Sequence, residues 1–318
     1  MSIFDTLAKE AKNDYAQLVS NTSSDQGFIG TGSYILNAQL SGSIYGGIPN
    51  NRVTAIAGEQ ATGKTFYAIG IASTFLNDHE DGAVFYFDSE AAATPDLFRE
   101  RGLDPNRVWH FPIDTIEEFR TQMIRILDNL LKTPEKDRKP LLVILDSLGM
   151  LASQKELDDA LSDKQVRDMT KSQMIKSVFR IITSKLGKLK IPMIVTNHTY
   201  KTMNPYGDPT DMGGGSGLKY AASTIMTLTK SKEKDSSKEI IGNIIKVKTY
   251  KSRLTKEAHK LLHDYFLTQG DLTNITDYWS WVRSMESSSG RGTGFLLVNL
   301  PFILLLFLPI LTSISQKK

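Results

Sequence analysis

The run Gly58-Glu59-Gln60-Ala61-Thr62-Gly63-Lys64-Thr65 fits the pattern G-x-x-x-x-G-K-[ST], with an apolar stretch at 53–57 before it and a helix-like stretch at 65–76 after it. Few sequence features restrict a fold as tightly. The chain has to leave a strand, curl through glycines and enter a helix, so that successive N–H groups and the helix N-terminus face an anion. Such a loop implies an α/β sheet with crossover helices and a bound nucleoside triphosphate. Lys64 is expected to reach the β and γ phosphates, and Thr65 to ligate Mg²⁺. A surface loop that fits the pattern by chance is the plain alternative.

Apolar runs at 53–57, 83–87, 108–111, 141–145 and 191–196 alternate with helical patterns, which predicts a mostly parallel sheet with helices on both faces. With 318 residues, 40% of them hydrophobic, the chain can build a substantial core. Cysteine is absent, which excludes disulfides, Cys-type zinc sites and thiol catalysis and makes the cytoplasm the expected location. A formal net charge of +3 does not mark a nucleic-acid binder, so any such surface must come from local clustering.

Local signals place several helices. Residues 1–17 carry Phe4, Leu7, Ala11 and Tyr15, followed by Leu18, at helical spacing and without the apolar core of a signal peptide; they read as a short amphipathic helix. Residues 21–26, Thr31-Gly32-Ser33 and the glycine-rich 41–49 read as turns. Asp114, three residues before Glu117, has capping-box spacing, and Thr94-Pro95 puts a capping hydroxyl before a proline at the first helical position. A helix over 164–188 repeats Ile175, Val178, Phe179, Ile182 and Leu186 on one face. Arg167, Lys171, Lys176 and Arg180 on its other face are either a nucleic-acid surface or a solvated one.

Four further segments carry chemistry. The strand at 141–145 ends in Asp146-Ser147, and an Asp at the carboxyl end of a strand beside a phosphate loop holds Mg²⁺; capping of the next helix is its other common use. The strand at 83–87 ends in Asp88-Ser89-Glu90, where Glu90 is the candidate base for the attacking water, or else a solvated loop carboxylate, and Asp88 a structural acid. After the strand at 191–196, Asn197 and His198 are placed to sense the γ phosphate and signal to the following loop, although a lone His there is more often a turn or core residue. That loop, 201–217, holds Met212-Gly213-Gly214-Gly215-Ser216-Gly217 and is expected to be mobile, as is the polar segment 153–163; a nucleic-acid track and plain mobile loops fit equally well.

Taken in order, Thr31-Gly32-Ser33, the phosphate loop, Asp88-Ser89-Glu90, Asp146-Ser147, Asn197-His198-Thr199-Tyr200 and 212–217 resemble the RecA-type recombinases. The Asp-Ser-Glu, Asn-His-Thr-Tyr and Met-Gly-Gly-Gly forms resemble most closely the UvsX branch of T-even-like bacteriophages, over roughly residues 28–258. The resemblance implies a RecA-type P-loop NTPase core at 31–258, preceded by an N-terminal helix and linker at 1–30 that docks onto an adjacent subunit. It implies a DNA-dependent ATPase that uses ATP and Mg²⁺, forms homo-oligomeric filaments on single-stranded DNA, and exchanges strands with a homologous duplex. Loader and single-strand-binding proteins are the further partners implied, in the host cytoplasm for a phage-encoded chain. By motif, Glu90, Lys64 and His198 carry catalysis, and the loops after Asp146 and His198 bind DNA through Lys171, Arg180, Lys201, Gly213, Gly214 and Gly215. Lys251 and Arg253 match the place where the family's basic residues reach a neighbour's ATP; ordinary surface cations at a strand end are the alternative. A RecA-fold replicative helicase and a non-catalytic filament partner are the competing functions, and fewer than sixty residues before the phosphate loop leave little room for a helicase's N-terminal domain.

The chain departs from the family pattern twice. Where the family usually has an aromatic residue for adenine stacking, this sequence has Leu97, beside Phe98. From 259 to 318 the sequence diverges into a tail with Trp279, Trp281, a Ser/Gly stretch at 287–292 and twenty uncharged residues at 295–314. That run has the length of a membrane span but includes Asn299, Pro301 and Pro309. An altered reading frame near residue 260 is the expected account, with a tail anchor and a buried helix as alternatives, and a membrane is not expected as a partner.

Overall fold

Each of the apolar runs forms a strand, and each strand pairs in parallel with a neighbour. The computed structural model describes residues 3–13, 15–16, 18, 20, 27–162, 170–201, 210–213, 215–234, 238–255 and 260–261. In chain order these give α1 (Ile3–Glu10), β1 (Phe28–Ile29), α2 (Tyr34–Ser41), β2 (Ile48–Pro49), β3 (Val53–Gly58), α3 (Lys64–Asp78), β4 (Ala83–Asp88), α4 (Pro95–Glu100) and β5 (Val108–Pro112). There follow α5 (Ile116–Lys132), β6 (Leu141–Asp146), α6 (Gln154–Leu161), α7 (Lys171–Leu189), β7 (Met193–Lys201), β8 (Thr210–Met212), α8 (Ser216–Ala221), β9 (Thr224–Lys234), β10 (Ile240–Ser252) and β11 (Lys260–Leu261).

The main sheet runs β11-β10-β9-β3-β7-β6-β4-β5, with β8 added antiparallel to β7. From β5 to β9 neighbours are parallel, and β10 and β11 extend that edge antiparallel. Side chains alternate across the pleat and so feed two cores. Val53, Ala55, Ala57, Val143 and Leu145 pack under α5 and α7 with Phe119, Met123, Phe179 and Ile182. Ile56, Tyr86, Ile144 and Ile194 pack on the other face with Leu36, Leu40, Ile69 and Ile71 of α2 and α3. Burying each large apolar side chain contributes roughly 1.5–3 kcal/mol, which fixes helices on both faces, as the alternation predicts.

Several local expectations need correction. The leader helix stops at Glu10: Lys12 has φ 48°, and the Asn13 side chain accepts the Tyr15 N–H, a local bond that competes with the helix. The capping box of α5 is Thr115 with Glu118, one residue later than the Asp114 and Glu117 pair, whose spacing is the same. Segment 153–163 is not a mobile loop over its described part; Ser153 and Glu156 form a second capping box that starts α6. The helix expected over 164–188 is α7, which keeps all five buried positions; Arg167 lies outside the described residues. Of loop 201–217, Lys201 belongs to β7, Thr210–Met212 form β8 and Ser216 begins α8, with Met212 and Leu218 buried; residues 202–209 and 214 lie outside the described residues. The hydrophobic run 295–314 and the rest of the tail beyond 261 also lie outside the described residues.

Candidate functional site

The loop after β3 begins where a side chain does not fit. A Cβ on Gly58 would lie 2.6 Å from Thr62 Oγ1 and 2.8 Å from the Leu228 carbonyl oxygen. Helices α2, α4, α5 and α6 each start with a Ser or Thr side chain that accepts a backbone N–H, whereas α3 starts at Gly63, φ 88°, with no side-chain cap and no acid in its first turn. Its first N–H groups therefore remain donors for an anion. Glu59, Gln60 and Ala61 form the exposed crest, and Thr62 is buried, its hydroxyl donating to the Glu59 carbonyl at 2.9 Å.

Lys64 is 7% exposed, and its ammonium donates to the carbonyls of Glu59 at 3.0 Å and Gly58 at 3.3 Å. Burial pulls its pKa below the ordinary lysine value, and the charges of Glu90 and Asp146 partly oppose that shift. The same ammonium is 3.4 Å from His198 Nδ1, and His198 Nε2 is 3.2 Å from Glu90 Oε1. A lysine ammonium only donates, so Nδ1 accepts and the ring proton sits on Nε2, where it donates to Glu90.

Asp146 lies across from this chain of contacts. Sequence logic puts its strand beside the phosphate loop, but β7 intervenes between β3 and β6, and it is Thr65 on α3 that reaches across, 2.6 Å from Asp146 Oδ2. Tyr86 donates to the same oxygen at 2.5 Å, and Thr196 donates to Oδ1. Burial first, then the Asp146 charge, push the Tyr86 phenol far above its usual range, so it remains a donor. A hydroxyl and a buried carboxylate are the hard oxygen set that Mg²⁺ takes when phosphates complete its shell, so Thr65 and Asp146 fit that ion. Among the described residues no group of three His, Cys, Asp or Glu side chains is arranged for a metal.

Asp88 stands apart as a structural acid. Its side chain is 2% exposed and accepts the N–H of Glu90 at 2.9 Å, that of Ala93 at 3.0 Å, and His110 Nε2 at 3.0 Å. Burial opposes its ionisation, yet these donors prevail and hold the carboxyl below its ordinary range. Its backbone bond to Glu90 fixes the start of the loop that carries the candidate base.

At the end of β7 the site meets the glycine loop. Gly213 donates its N–H to the His198 carbonyl at 3.0 Å and accepts from Asn197 Nδ2 at 2.8 Å. A Cβ on Gly215 would come within 2.9 Å of Ser172 Oγ, and one on Gly217 within 2.9 Å of the Lys176 nitrogen, so the loop lies against the first turns of α7. Lys171 is thereby brought to the glycine loop, already paired with Glu156 at 2.9 Å. Arg180 is exposed but nine residues further along α7, about 14 Å at 1.5 Å per residue. Lys201 ends β7 opposite Thr210, and Gly214 lies outside the described residues.

Lys251 and Arg253 are not at this site. Ser252 pairs with Thr224, which pairs with Thr54 at the start of β3, whereas the phosphate loop leaves its far end. Four residues of strand separate them, about 13 Å. Lys251 donates to the Lys219 and Ala222 carbonyls at 2.6 and 2.8 Å, closing the C-terminus of α8; Arg253 is exposed, its backbone N–H donating to the Ser223 carbonyl at 3.0 Å and its guanidinium to the Tyr220 carbonyl at 3.4 Å. Leu97 is half-buried on the apolar cluster, and Phe98 is buried edge-on against Tyr86, so neither is a free aromatic face.

Sequence reasoning passed over Tyr86, Thr196, Ser147, Ser89 and Glu156 as parts of the site. The hydroxyls of Tyr86 and Thr196 sit at inward positions of otherwise apolar strands, where a polar tip needs a partner.

A family model for the RecA N-terminal domain matches residues 6–270. The "Recombination and repair protein" of Enterobacteria phage T4 is 37% identical over 230 residues, covering 72% of this chain and 57% of that protein. "Protein RecA" of Fusobacterium nucleatum is 25% identical over 277 residues, 83% of this chain and 69% of its own length, and that of Chlorobaculum tepidum is 28% identical over 272 residues, 83% and 74%. The phage relative agrees with the branch expected from Asn197-His198-Thr199-Tyr200, and the match to the phage protein spans little more than half of it. A family match over most of the chain, on a sheet that assembles the expected phosphate loop, makes this protein a member of the RecA family.

Proposed function

We propose that the chain is an ATP-dependent DNA recombinase, which polymerises on single-stranded DNA and promotes homologous pairing and strand exchange. One observation carries the reading most directly: a single imidazole, His198, links the phosphate lysine, the candidate base and, through its own carbonyl, the glycine loop. That is the wiring expected of a triphosphate-controlled DNA contact.

In this reading, Lys64 and the free N–H groups of α3 bind the phosphates of ATP. Thr65 and Asp146 would hold Mg²⁺, which supplies charge neutralisation on the phosphate oxygens. Glu90 orients the attacking water and accepts its proton. Triphosphate recruits Lys64 away from His198 Nδ1, and His198 registers the γ phosphate as the loss of that bond, altering the strand to which Gly213 is bonded. Lys171, Lys201 and Gly213 to Gly215 contact the DNA backbone, with Arg180 a more distant contributor. Lys251 and Arg253 serve the site of the next subunit, since they stand too far from their own. ATP hydrolysis is then completed by assembly, and release from DNA follows it. The exposed apolar residues Phe4 and Leu7 of α1 supply a docking face for a second copy. Loader and single-strand-binding proteins complete the set of partners, in the cytoplasm of the host cell. Among the described residues no helix is long and apolar enough to cross a membrane.

Strand exchange between circular single-stranded DNA and a homologous linear duplex tests the proposal. ATP-dependent joint molecules are expected; folded, ATP-binding protein that forms none overturns it.

A further inference from the structure

We infer that Ser147 is a positioning residue for the Glu90 carboxylate, part of a hydroxyl clasp that ties the candidate base to the metal-side acid; the inference rests on the assignment of Glu90 as base. Strands β4 and β6 end side by side, with Asp88 opposite Asp146. Beyond them the dipeptides Ser89-Glu90 and Asp146-Ser147 are joined by four hydrogen bonds. Ser89 donates its N–H to the Asp146 carbonyl at 2.9 Å. Ser147 donates its N–H to Ser89 Oγ at 2.8 Å, and Ser89 Oγ donates to the Ser147 carbonyl at 2.7 Å. Ser147 Oγ then donates to Glu90 Oε1 at 2.8 Å.

The direction of that last bond is fixed, because an ionised carboxylate only accepts. Ser147 is fully buried, so its proton is committed to Glu90 rather than shared with solvent. With His198 Nε2 on the same oxygen, Oε1 has two donors, and Oε2 remains to meet water. Asp146 and Ser147 are neighbours in sequence, so a single peptide unit sets the offset between the carboxylate proposed for Mg²⁺ and the group that holds the base. A purely structural serine would satisfy the clasp without any dependence on residue 90.

The test is a double-mutant cycle on the full chain, reading ATP hydrolysis with poly(dT) present and ATP affinity separately. Ser147→Ala should lower kcat about 10- to 100-fold, the scale of a misplaced reacting group, with ATP affinity unchanged. In a Glu90→Gln background the same change should cost no more than about twofold, because the group it positions is already disabled. Equal losses in the two backgrounds, or undiminished turnover, overturn the inference. Should the alanine variant not fold, Ser147→Cys, which keeps the volume but donates weakly, is read by the same cycle. Wild-type turnover in Glu90→Gln removes the base assignment and the inference with it, whereas slow Glu90→Gln with additive losses removes the inference alone.

Discussion

Lys64 Nζ and His198 Nδ1 meet at 3.4 Å, beside the point where Gly58, the last residue of β3, is paired in register with His198 of β7. The lysine of the phosphate loop and the imidazole proposed as its sensor are thus bonded directly to each other. Lys64→Ala is expected to lower ATP hydrolysis by about 100-fold or more, as for loss of one strong transition-state donor. His198→Ala should retain ATP binding but lose stimulation by single-stranded DNA, measured as the ratio of hydrolysis with and without an oligonucleotide. An unchanged ratio would remove the sensor role.

Asp146 receives hydroxyl donors from Thr65, Tyr86 and Thr196. Asp146→Asn should raise the Mg²⁺ concentration for half-maximal hydrolysis about tenfold or more, and Tyr86→Phe by less, since two donors then remain. Titration of hydrolysis with Mg²⁺ after treatment with a chelator gives both values. Identical Mg²⁺ curves for wild type and Asp146→Asn would exclude Asp146 from the metal site.

The Asp88 carboxyl is held below its ordinary value of 3.8, so the folded chain binds fewer protons there than the unfolded chain as the pH falls. The stability it contributes is complete above 3.8 and is lost as the pH drops through the lower folded value. Asp88→Asn should destabilise the protein by about 2 kcal/mol at neutral pH, the scale of hydrogen bonds to a charged group, with the gap closing on acidification. Urea unfolding at a series of pH values measures it; a gap that persists unchanged into acid would contradict the assignment.

Among the described residues the Arg253 guanidinium makes only a long contact to the Tyr220 carbonyl, whereas the Lys251 ammonium closes α8. Arg253→Ala should therefore reduce hydrolysis without lowering stability, while Lys251→Ala lowers both. Mixed with Lys64→Ala protein, Arg253→Ala protein should regain activity at about one quarter of head-to-tail contacts, those that join an intact site to an intact cation. Rates that merely sum those of the two inactive proteins would show that the cation acts within its own chain.

The parts legible in sequence share a physical signature. Buried parallel strands need continuous apolar runs, so β3, β4, β6 and most of β7 announce themselves, and the phosphate loop is specified by glycines that backbone geometry requires. Strands β9 and β10 escape, because more than half of their residues with a described side chain are not fully buried and Thr and Lys interrupt the pattern. Helix α6 escapes too, although Ser153 and Glu156 carry the same capping signal as Thr115 and Glu118. Polarity along its length hides a helix that buries none of its own residues. Ser147 and Ser89 were visible as residues but not as a clasp, since their meeting depends on two strands lying side by side.

Gly213 is fastened to β7 by two hydrogen bonds, one from its own N–H to His198 and one from Asn197 to its carbonyl. At about 1 kcal/mol each, these set an energy scale for moving the near end of the glycine loop. A difference of about 2 kcal/mol between nucleotide states suffices to shift the loop's populations by roughly thirtyfold. An interaction at the phosphate site that favours the unfastened loop by more than this would release it, and a weaker one would leave the loop where the two bonds hold it.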